Sequence, residues 1–299
     1  MSKAPARNEA DLRAVQHVPI LSTITPGRER YCPILAAHLD EMWPRHAPVF
    51  FALPAGRSAP YTRAIPSAAR TWTATLLNGL EYLRDAHGAK HVFVLLEDHF
   101  PLWPCAEDVL HETFAIVEAE DLKCVFFTKY EWPWQSTRHW IDEEGRVIGW
   151  RRIDVTRFRG HRMARMPLDF FRYNQCQPAI WNLDYYIGIV REAVRRGIGD
   201  PWKFEAYTMP EQAQHYVSEY RWPSWENGYL SSGRIDWRAV RLMKMPEARW
   251  LRDELVRERF DGVPLTPTML YAVGECLYRL EVVGNVTSRV ARRIRRTIR

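Results

Sequence analysis

Residues 91–100, HVFVLLEDHF, give the clearest indication of the fold of this chain. Its first six residues are mostly apolar and are typical of a buried β-strand. Two carboxylates and an imidazole follow at once, in Glu97, Asp98 and His99. Charged groups are too unfavourable to be buried unpaired in a core, so we expect these three residues where the strand leaves the sheet. In open α/β sheets this carboxyl edge of the strands is where ligands bind.

The segments around this strand alternate between strand and helix patterns. Before it, the sequence predicts strands at residues 18–24 and 49–53, and helices at 31–42 and about 67–86. After it, a helix is predicted at 107–118 and a strand at 124–128. Such an alternation predicts an α/β fold.

The second half of the chain is less regular. Residues 130–171 are rich in aromatic and charged side chains, and short antiparallel strands are compatible with that pattern. The segment QPAIW at 177–181 is expected to open a helix at 182–196, which GIGDP at 197–201 would end. Beyond residue 214 we expect a few short segments and then a largely helical tail.

Composition restricts the class of protein. Among 299 residues, 46% are hydrophobic and 13 are Trp, which excludes a disordered, collagenous or coiled-coil chain. Five scattered cysteines without a CxxC pair favour neither a disulfide framework nor a zinc site, and fit a reducing compartment. The polar lead at 1–17 lacks an apolar signal segment, and no stretch approaches the ~20 apolar residues of a membrane span. We therefore expect a cytoplasmic protein.

The basic charge is concentrated at one end. The chain has 42 Lys and Arg against 36 Asp and Glu, and the last eleven residues, from Arg289 to Arg299, hold six Arg and no acid. The rest is therefore neutral, and with no RNA-binding or DNA-binding module we expect no nucleic-acid partner. Apolar residues recur every fourth position in this tail, which indicates a basic amphipathic helix able to lie on an anionic membrane. A solvated basic end is the alternative.

The acidic cluster after the strand has chemical content of its own. Glu97, Asp98 and His99 offer hard oxygen ligands and one nitrogen, a set that suits Mg²⁺ or Mn²⁺ beside a diphosphate. The alternative is a solvated strand end or a helix cap, and residue types alone leave both interpretations open.

Residues 92–100 resemble the acidic DXD-type motif of GT-A glycosyltransferases, and two strand–helix units precede the motif as that fold requires. The resemblance implies a GT-A, nucleotide-diphospho-sugar transferase-like fold, a mixed sheet flanked by helices. It also implies that Asp98 and His99 hold Mn²⁺ or Mg²⁺, and that Glu97 and Asp98 serve the ribose, the phosphates or the water shell of the metal.

The end of the first strand is where a GT-A enzyme usually meets its nucleotide. Thr23, Thr25 and Arg28 occupy that place here. The resemblance therefore implies that they bind the donor and that Arg28 contacts a phosphate oxygen. An arginine in a solvated loop is the alternative.

A second similarity lies downstream. QPAIW at 177–181 and DPWKFE at 200–205 are similar to segments of bacterial glycosyltransferase-like proteins from surface-polysaccharide loci, and the similarity covers residues 18–243. By analogy with the acceptor-side acid of other GT-A enzymes, Glu205 would be the general base of an inverting transfer. Trp181 and Trp202 would stack on acceptor sugars. The alternatives are a structural acid for Glu205 and core positions for the tryptophans.

Together these patterns predict a polar lead at 1–17, a GT-A-like catalytic domain at 18–245 and a helical extension with a basic tail at 246–299. The predicted protein is a glycosyltransferase that moves a sugar from a nucleotide-sugar donor to a saccharide or lipid-linked saccharide in surface polysaccharide assembly. It would be cytoplasmic and peripheral on the membrane. The alternative function is a non-catalytic GT-A-like protein that binds nucleotide sugar or saccharide at the membrane surface.

Overall fold

The computed structural model describes residues 18–59, 63–97, 99, 101–127, 154–166, 168, 174, 176–207, 213–223, 230–231 and 234–235. The chain divides into two compact units, Met1–Glu226 and Asn227–Arg299. The described residues of the second unit form a short antiparallel pair, β10 (Leu230–Ser231) with β11 (Arg234–Ile235). The predicted polar lead and basic tail lie outside the described residues, and both stay predictions.

The first unit is built on one mixed sheet in the order β3-β2-β1-β4-β8-β5-β9-β7-β6. Strands β1 to β4 are parallel to one another, β8 runs antiparallel between β4 and β5, and β9 is parallel to β5. Strands β7 and β6 close the other edge as an antiparallel pair. The strand bounds are β1 Ile20–Thr23, β2 Val49–Leu53, β3 Ala64–Pro66, β4 His91–Val94, β5 Cys124–Phe127, β6 Val155–Phe158, β7 His161–Arg165, β8 Ala179–Asn182 and β9 His215–Ser218.

Local chemistry sets the ends of several helices. The Thr71 side chain accepts a hydrogen bond from the Ala74 amide at the start of the second helix, and Gly88 ends it in the left-handed conformation at φ 61°. Asn182 and Asp200 cap the last two helices in the same way as Thr71. The helices are α1 Cys32–Met42, α2 Trp72–His87, α3 Glu107–Ala119, α4 Leu183–Arg195 and α5 Pro201–Ala206, and a 3-10 turn, Glu29–Tyr31, precedes α1.

Successive residues of a strand point to opposite faces of the sheet. Because consecutive residues of the central strands are buried, both faces of the sheet are covered by helices. On one face, Leu21, Val92 and Phe126 belong to a buried cluster with α2 and α4. On the other face, Phe93 packs against Trp43, Phe114 and Trp222 with ring centroids 5.2 to 6.0 Å apart. The predicted α/β class, with a mixed sheet flanked by helices, is confirmed.

Most predicted elements are confirmed, and one needs correction. Strands β1, β2, β4 and β5 and helices α1 to α4 lie where the sequence predicts them, and β6 with β7 provides short antiparallel strands within 130–171. The segment at 177–181 does not open a helix. Instead Ala179–Asn182 forms β8, and α4 begins only at Leu183. Periodicity does not distinguish a strand from a helix in so short an apolar run.

No helix within the described ranges is long and apolar enough to cross a lipid bilayer.

Candidate functional site

The sheet has a topological switch point between β1 and β4. The chain leaves β1 for β2 on one side, whereas β4 pairs with β1 on the other side. In open α/β sheets a crevice forms outside the carboxyl ends of such strands. Because Val94 pairs with both Leu21 of β1 and Ala179 of β8, the segments at 24–28, 95–99 and 176–178 meet at one edge. We call this the β1–β4 edge.

Two predicted donor-site residues contact each other at the β1–β4 edge. Arg28 Nη1 donates to Glu97 Oε1 at 2.7 Å, and the side chains are 22% and 3% exposed, respectively. A tight turn places Arg28 there: its amide donates to the Thr25 carbonyl, and Gly27 adopts a φ of 88° that favours glycine. The turn after β1 and the turn after β4 are thus joined by an ion pair.

The negative charge of Glu97 also affects the pKa of Cys32, the first residue of α1. Burial, and then the negative charges of Glu97 and Glu29, raise the pKa of the Cys32 thiol to about 12. Glu29 in turn accepts from the Gly27 amide and lies 3.5 Å from the guanidinium of Arg57. Glu97 and Glu29 are therefore each matched by an arginine, and Cys32 stays protonated at neutral pH.

Hydroxyl groups lie at the end of β1. Thr23 is its last residue and is buried, and neither Thr23 Oγ1 nor Ser22 Oγ has a hydrogen-bond partner among the described residues. Buried hydroxyl groups without partners are uncommon because they lose their hydrogen bonds to water. Thr25 is half-buried and contributes the carbonyl that holds the Arg28 turn.

His99 is fixed in the turn after β4. It is 4% exposed, its amide donates to the Leu96 carbonyl at 3.0 Å, and its own carbonyl accepts from the indole of Trp222. Its predicted companion Asp98 lies outside the described residues. Among the described residues, no three His, Cys, Asp or Glu side chains form a group able to hold a metal ion.

Glu205 lies in α5 and is bound to the segment that leads into β8. Glu205 is 7% exposed, and its Oε1 accepts from the Cys176 amide at 2.9 Å. A second hydrogen bond joins the same two segments, because the side-chain amide of Asn174 donates to the Tyr207 carbonyl at 2.6 Å. Because β8 starts beside the carboxyl end of β4, this contact brings Glu205 to the β1–β4 edge.

The two candidate acceptor tryptophans have opposite environments. Trp181 is 1% exposed in β8, and Tyr186 covers one of its ring faces at a centroid distance of 4.0 Å. It therefore occupies a core position, which is the alternative that the sequence left open. Trp202 is 71% exposed in the first turn of α5, three residues before Glu205. Of the two, Trp202 presents a ring to solvent.

Sequence reasoning missed the groups that hold these residues in place. The amide of Cys176 and the indole of Trp222 fix Glu205 and the His99 carbonyl, respectively. A backbone amide gives no signal in a sequence, and nothing near Trp222 links it to a segment 123 residues away. Only the folded chain brings these groups together.

A cavity of about 300 Å³ lies at the amino ends of β1 and β4, on the side of the sheet opposite the β1–β4 edge. It is lined by Val18, Lys90 and His91, at the amino ends of β1 and β4, and by the carboxyl ends of α2 and α3. Burial lowers the pKa of His91 in its wall. None of the predicted site residues that the structure describes lines this cavity.

No protein-family model matches the sequence, and no curated protein is significantly similar to it. Among solved structures, the chain is similar to the 2-C-methyl-D-erythritol 4-phosphate cytidylyltransferase from Thermus thermophilus at 15% identity and a TM-score of 0.35. The match covers 65% of this chain and 93% of that enzyme.

Proposed function

We propose that this protein is a glycosyltransferase that moves a sugar from a nucleotide-sugar donor to a saccharide or lipid-linked saccharide in surface polysaccharide assembly. One observation carries the proposal. Arg28 comes from the turn after β1, Glu97 and His99 come from the turn after β4, and Glu205 comes from α5 and is bound to the segment that leads into β8. All of them lie at the β1–β4 edge. Ligands bind at this edge in open α/β sheets, so the convergence supports a donor and an acceptor subsite there.

In the proposed reaction, Glu205 is the general base. Its carboxylate takes the proton of an acceptor hydroxyl while that oxygen forms a bond to the anomeric carbon of the donor sugar. The bond from this carbon to the diphosphate breaks, and the nucleoside diphosphate leaves with the electron pair. The Cys176 amide holds Oε1 of the base, which fixes the orientation of the carboxylate. A single displacement of this kind inverts the anomeric centre.

The leaving diphosphate gains negative charge, and Arg28 is the residue proposed to stabilise it. A guanidinium matches the geometry of phosphate oxygens, and this one is partly exposed at the switch point. Thr23 and Thr25 complete the proposed donor subsite. Asp98 and His99 are the residues proposed to hold Mn²⁺ or Mg²⁺, which when bound would supply further positive charge for the diphosphate.

The acceptor side of the proposal uses Trp202. Its exposed ring lies on the same short helix as Glu205, and the apolar face of a pyranose packs well on such a ring. A lipid-linked acceptor would also explain a basic tail at residues 289–299, since both would be at a membrane surface.

A second candidate is a non-catalytic protein that binds nucleotide sugar or saccharide at the membrane. Two contacts favour it. Glu97 is already paired with Arg28, and one oxygen of Glu205 is already bonded to the Cys176 amide. Carboxylates engaged in this way also serve purely structural roles.

The test is a panel of nucleotide sugars, with and without Mn²⁺, read by thermal shift and by release of nucleoside diphosphate in the presence of saccharide acceptors. A ligand that binds only the folded state raises the melting temperature. We expect one nucleotide family to stabilise the wild type, with less stabilisation in His99→Asn, and to be turned over.

His161→Asn is the matched control, because this partly exposed imidazole on β7 pairs with Glu112, away from the β1–β4 edge. Each shift is compared with the same variant without ligand, so a general loss of stability does not affect the result. Binding without release of nucleoside diphosphate would support the non-catalytic candidate. If no nucleotide sugar binds the wild type, the proposed function is wrong.

A further inference from the structure

We infer that Glu97 is a positioning residue for Arg28, and that Arg28 binds a phosphate group of the ligand. The inference rests on the proposed function for the identity of that ligand, a nucleoside diphosphate. It differs from the role that the resemblance implies for Glu97, which is direct contact with the ribose, the phosphates or the water shell of a metal.

The relative exposure of the two side chains supports these roles, in which Arg28 contacts the ligand and Glu97 holds Arg28 in place. Glu97 is 3% exposed and Arg28 is 22% exposed, so the carboxylate lies beneath the guanidinium. An anion that arrives from solvent therefore meets Arg28 first. A guanidinium has five N–H donors in one plane, and a carboxylate that binds through Nη1 fixes the direction of the others.

The same burial argues against the opposite view, that an incoming phosphate displaces Glu97. If Arg28 moved away, the Glu97 carboxylate would stay buried without its cation, and an unpaired buried charge is strongly destabilising. The acid that lies nearby, Glu29, already has its own arginine in Arg57. Glu97 and Arg28 are therefore expected to stay paired when a ligand binds.

The end of β1 offers a further polar group to such a ligand. Thr23 Oγ1 is buried at the last residue of this strand and has no hydrogen-bond partner in the described part of the chain. Its position is five residues before Arg28, on the strand that leads into the Arg28 turn.

The experiment measures the affinity of inorganic pyrophosphate, without metal, by isothermal titration calorimetry at low ionic strength. The variants are Arg28→Ala, Glu97→Gln and the double variant, with Arg57→Ala as a control that removes the same charge from the neighbouring pair. We expect at least tenfold weaker binding in Arg28→Ala, a several-fold loss in Glu97→Gln and little change in Arg57→Ala. The double variant should be no weaker than Arg28→Ala, because a residue that acts through Arg28 has no effect once Arg28 is gone.

Any of four results would overturn the inference. A Glu97→Gln loss that persists in full in the Arg28→Ala background would mean that Glu97 contacts the ligand itself. Tighter binding in Glu97→Gln would mean that the carboxylate competes with phosphate. An equal loss in Arg57→Ala, or no pyrophosphate binding in the wild type, would remove the role of Arg28.

Folding and function are separated in the same design. If Arg28→Ala, which leaves the buried Glu97 carboxylate without its cation, fails to fold, Arg28→Lys takes its place, because it keeps the charge and loses the planar fork; it should bind pyrophosphate more weakly than the wild type. If Glu97→Gln fails to fold, Glu97→Asp takes its place, because it keeps the charge and shortens the side chain that reaches Arg28 Nη1; it should also bind pyrophosphate more weakly than the wild type. Pyrophosphate carries neither nucleoside nor sugar. A wild type that binds it through Arg28 and Glu97, yet uses no nucleotide sugar, would contradict the proposed function and leave this inference standing.

Discussion

At the scale of single residues, Glu205 combines two demands on one carboxylate. Its Oε1 accepts from a buried backbone amide, and the proposed chemistry needs the same carboxylate to accept a proton from the acceptor. These roles respond differently to substitution. A glutamine keeps an oxygen acceptor for the Cys176 amide and loses the basicity, whereas an alanine loses both.

We therefore predict that Glu205→Gln folds with a change of less than about 1 kcal/mol and loses about 10²- to 10⁴-fold in turnover, as expected for removal of a general base. Glu205→Ala should lose the activity and also about 1–3 kcal/mol of stability, since the Cys176 amide is left buried without its acceptor. Urea unfolding and nucleoside diphosphate release measure the two effects. Glu112→Gln, on the exposed part of α3, is the control. Normal turnover in Glu205→Gln would show that Glu205 is only a structural acid.

At the scale of elements, α2 is a helix that packs closely against the parallel strands. A Cβ atom added at Gly79 would lie 2.9 Å from the Cβ of Ala52 in β2 and 3.1 Å from a methyl carbon of Leu21 in β1. The missing side chain of Gly79 therefore allows this close approach. In α4, by contrast, a Cβ added at Gly188 would have no atom within 4 Å.

These two glycines form a matched pair. Gly79→Ala should destabilise the protein by about 1–3 kcal/mol, because a methyl group is forced into a packed core. Gly188→Ala should stabilise it by about 0.5–1 kcal/mol, because alanine favours a helix and nothing obstructs its methyl group. Urea unfolding of both variants checks the prediction. Equal stabilisation in both would mean that α2 moves away from the sheet at little energetic cost.

At the scale of the whole molecule, the sequence separates a neutral body from a basic end. The last eleven residues lie outside the described part of the chain, so their role is a prediction from sequence alone. Basic residues near an anionic membrane each contribute roughly 1 kcal/mol, and six of them suffice for reversible attachment.

Deletion of residues 289–299 should abolish binding to vesicles that contain anionic lipid and leave the melting temperature unchanged. A variant with the six arginines replaced by glutamine should behave like the deletion, because the attraction is electrostatic, and added salt should weaken binding of the full chain. Vesicle flotation measures the bound fraction. If the truncated chain floats as well as the full chain, the tail is a solvated end.

Local patterns in the sequence predict most helices and strands of the first half of the chain, and they predict that Glu97 and His99 follow the end of a strand, whereas they do not predict the strand β8. Hydrophobic periodicity and capping involve residues that are close together in the sequence. For this reason the strands β1, β2, β4 and β5 and the helices α1 to α4 can be predicted from the sequence. The place of the cluster follows from the same local physics, since charged residues that follow a buried strand have to leave the sheet.

Which of these residues contact one another depends on the tertiary structure. Arg28 and Glu97 are 69 positions apart, and Glu205 finds its amide partner 29 positions away. β8 enters the sheet between β4 and β5, which buries Trp181, whereas Trp202 stays in solvent. Periodicity cannot settle such outcomes, because they depend on strand pairing between distant segments. Each residue's environment is set by the neighbours that this pairing supplies.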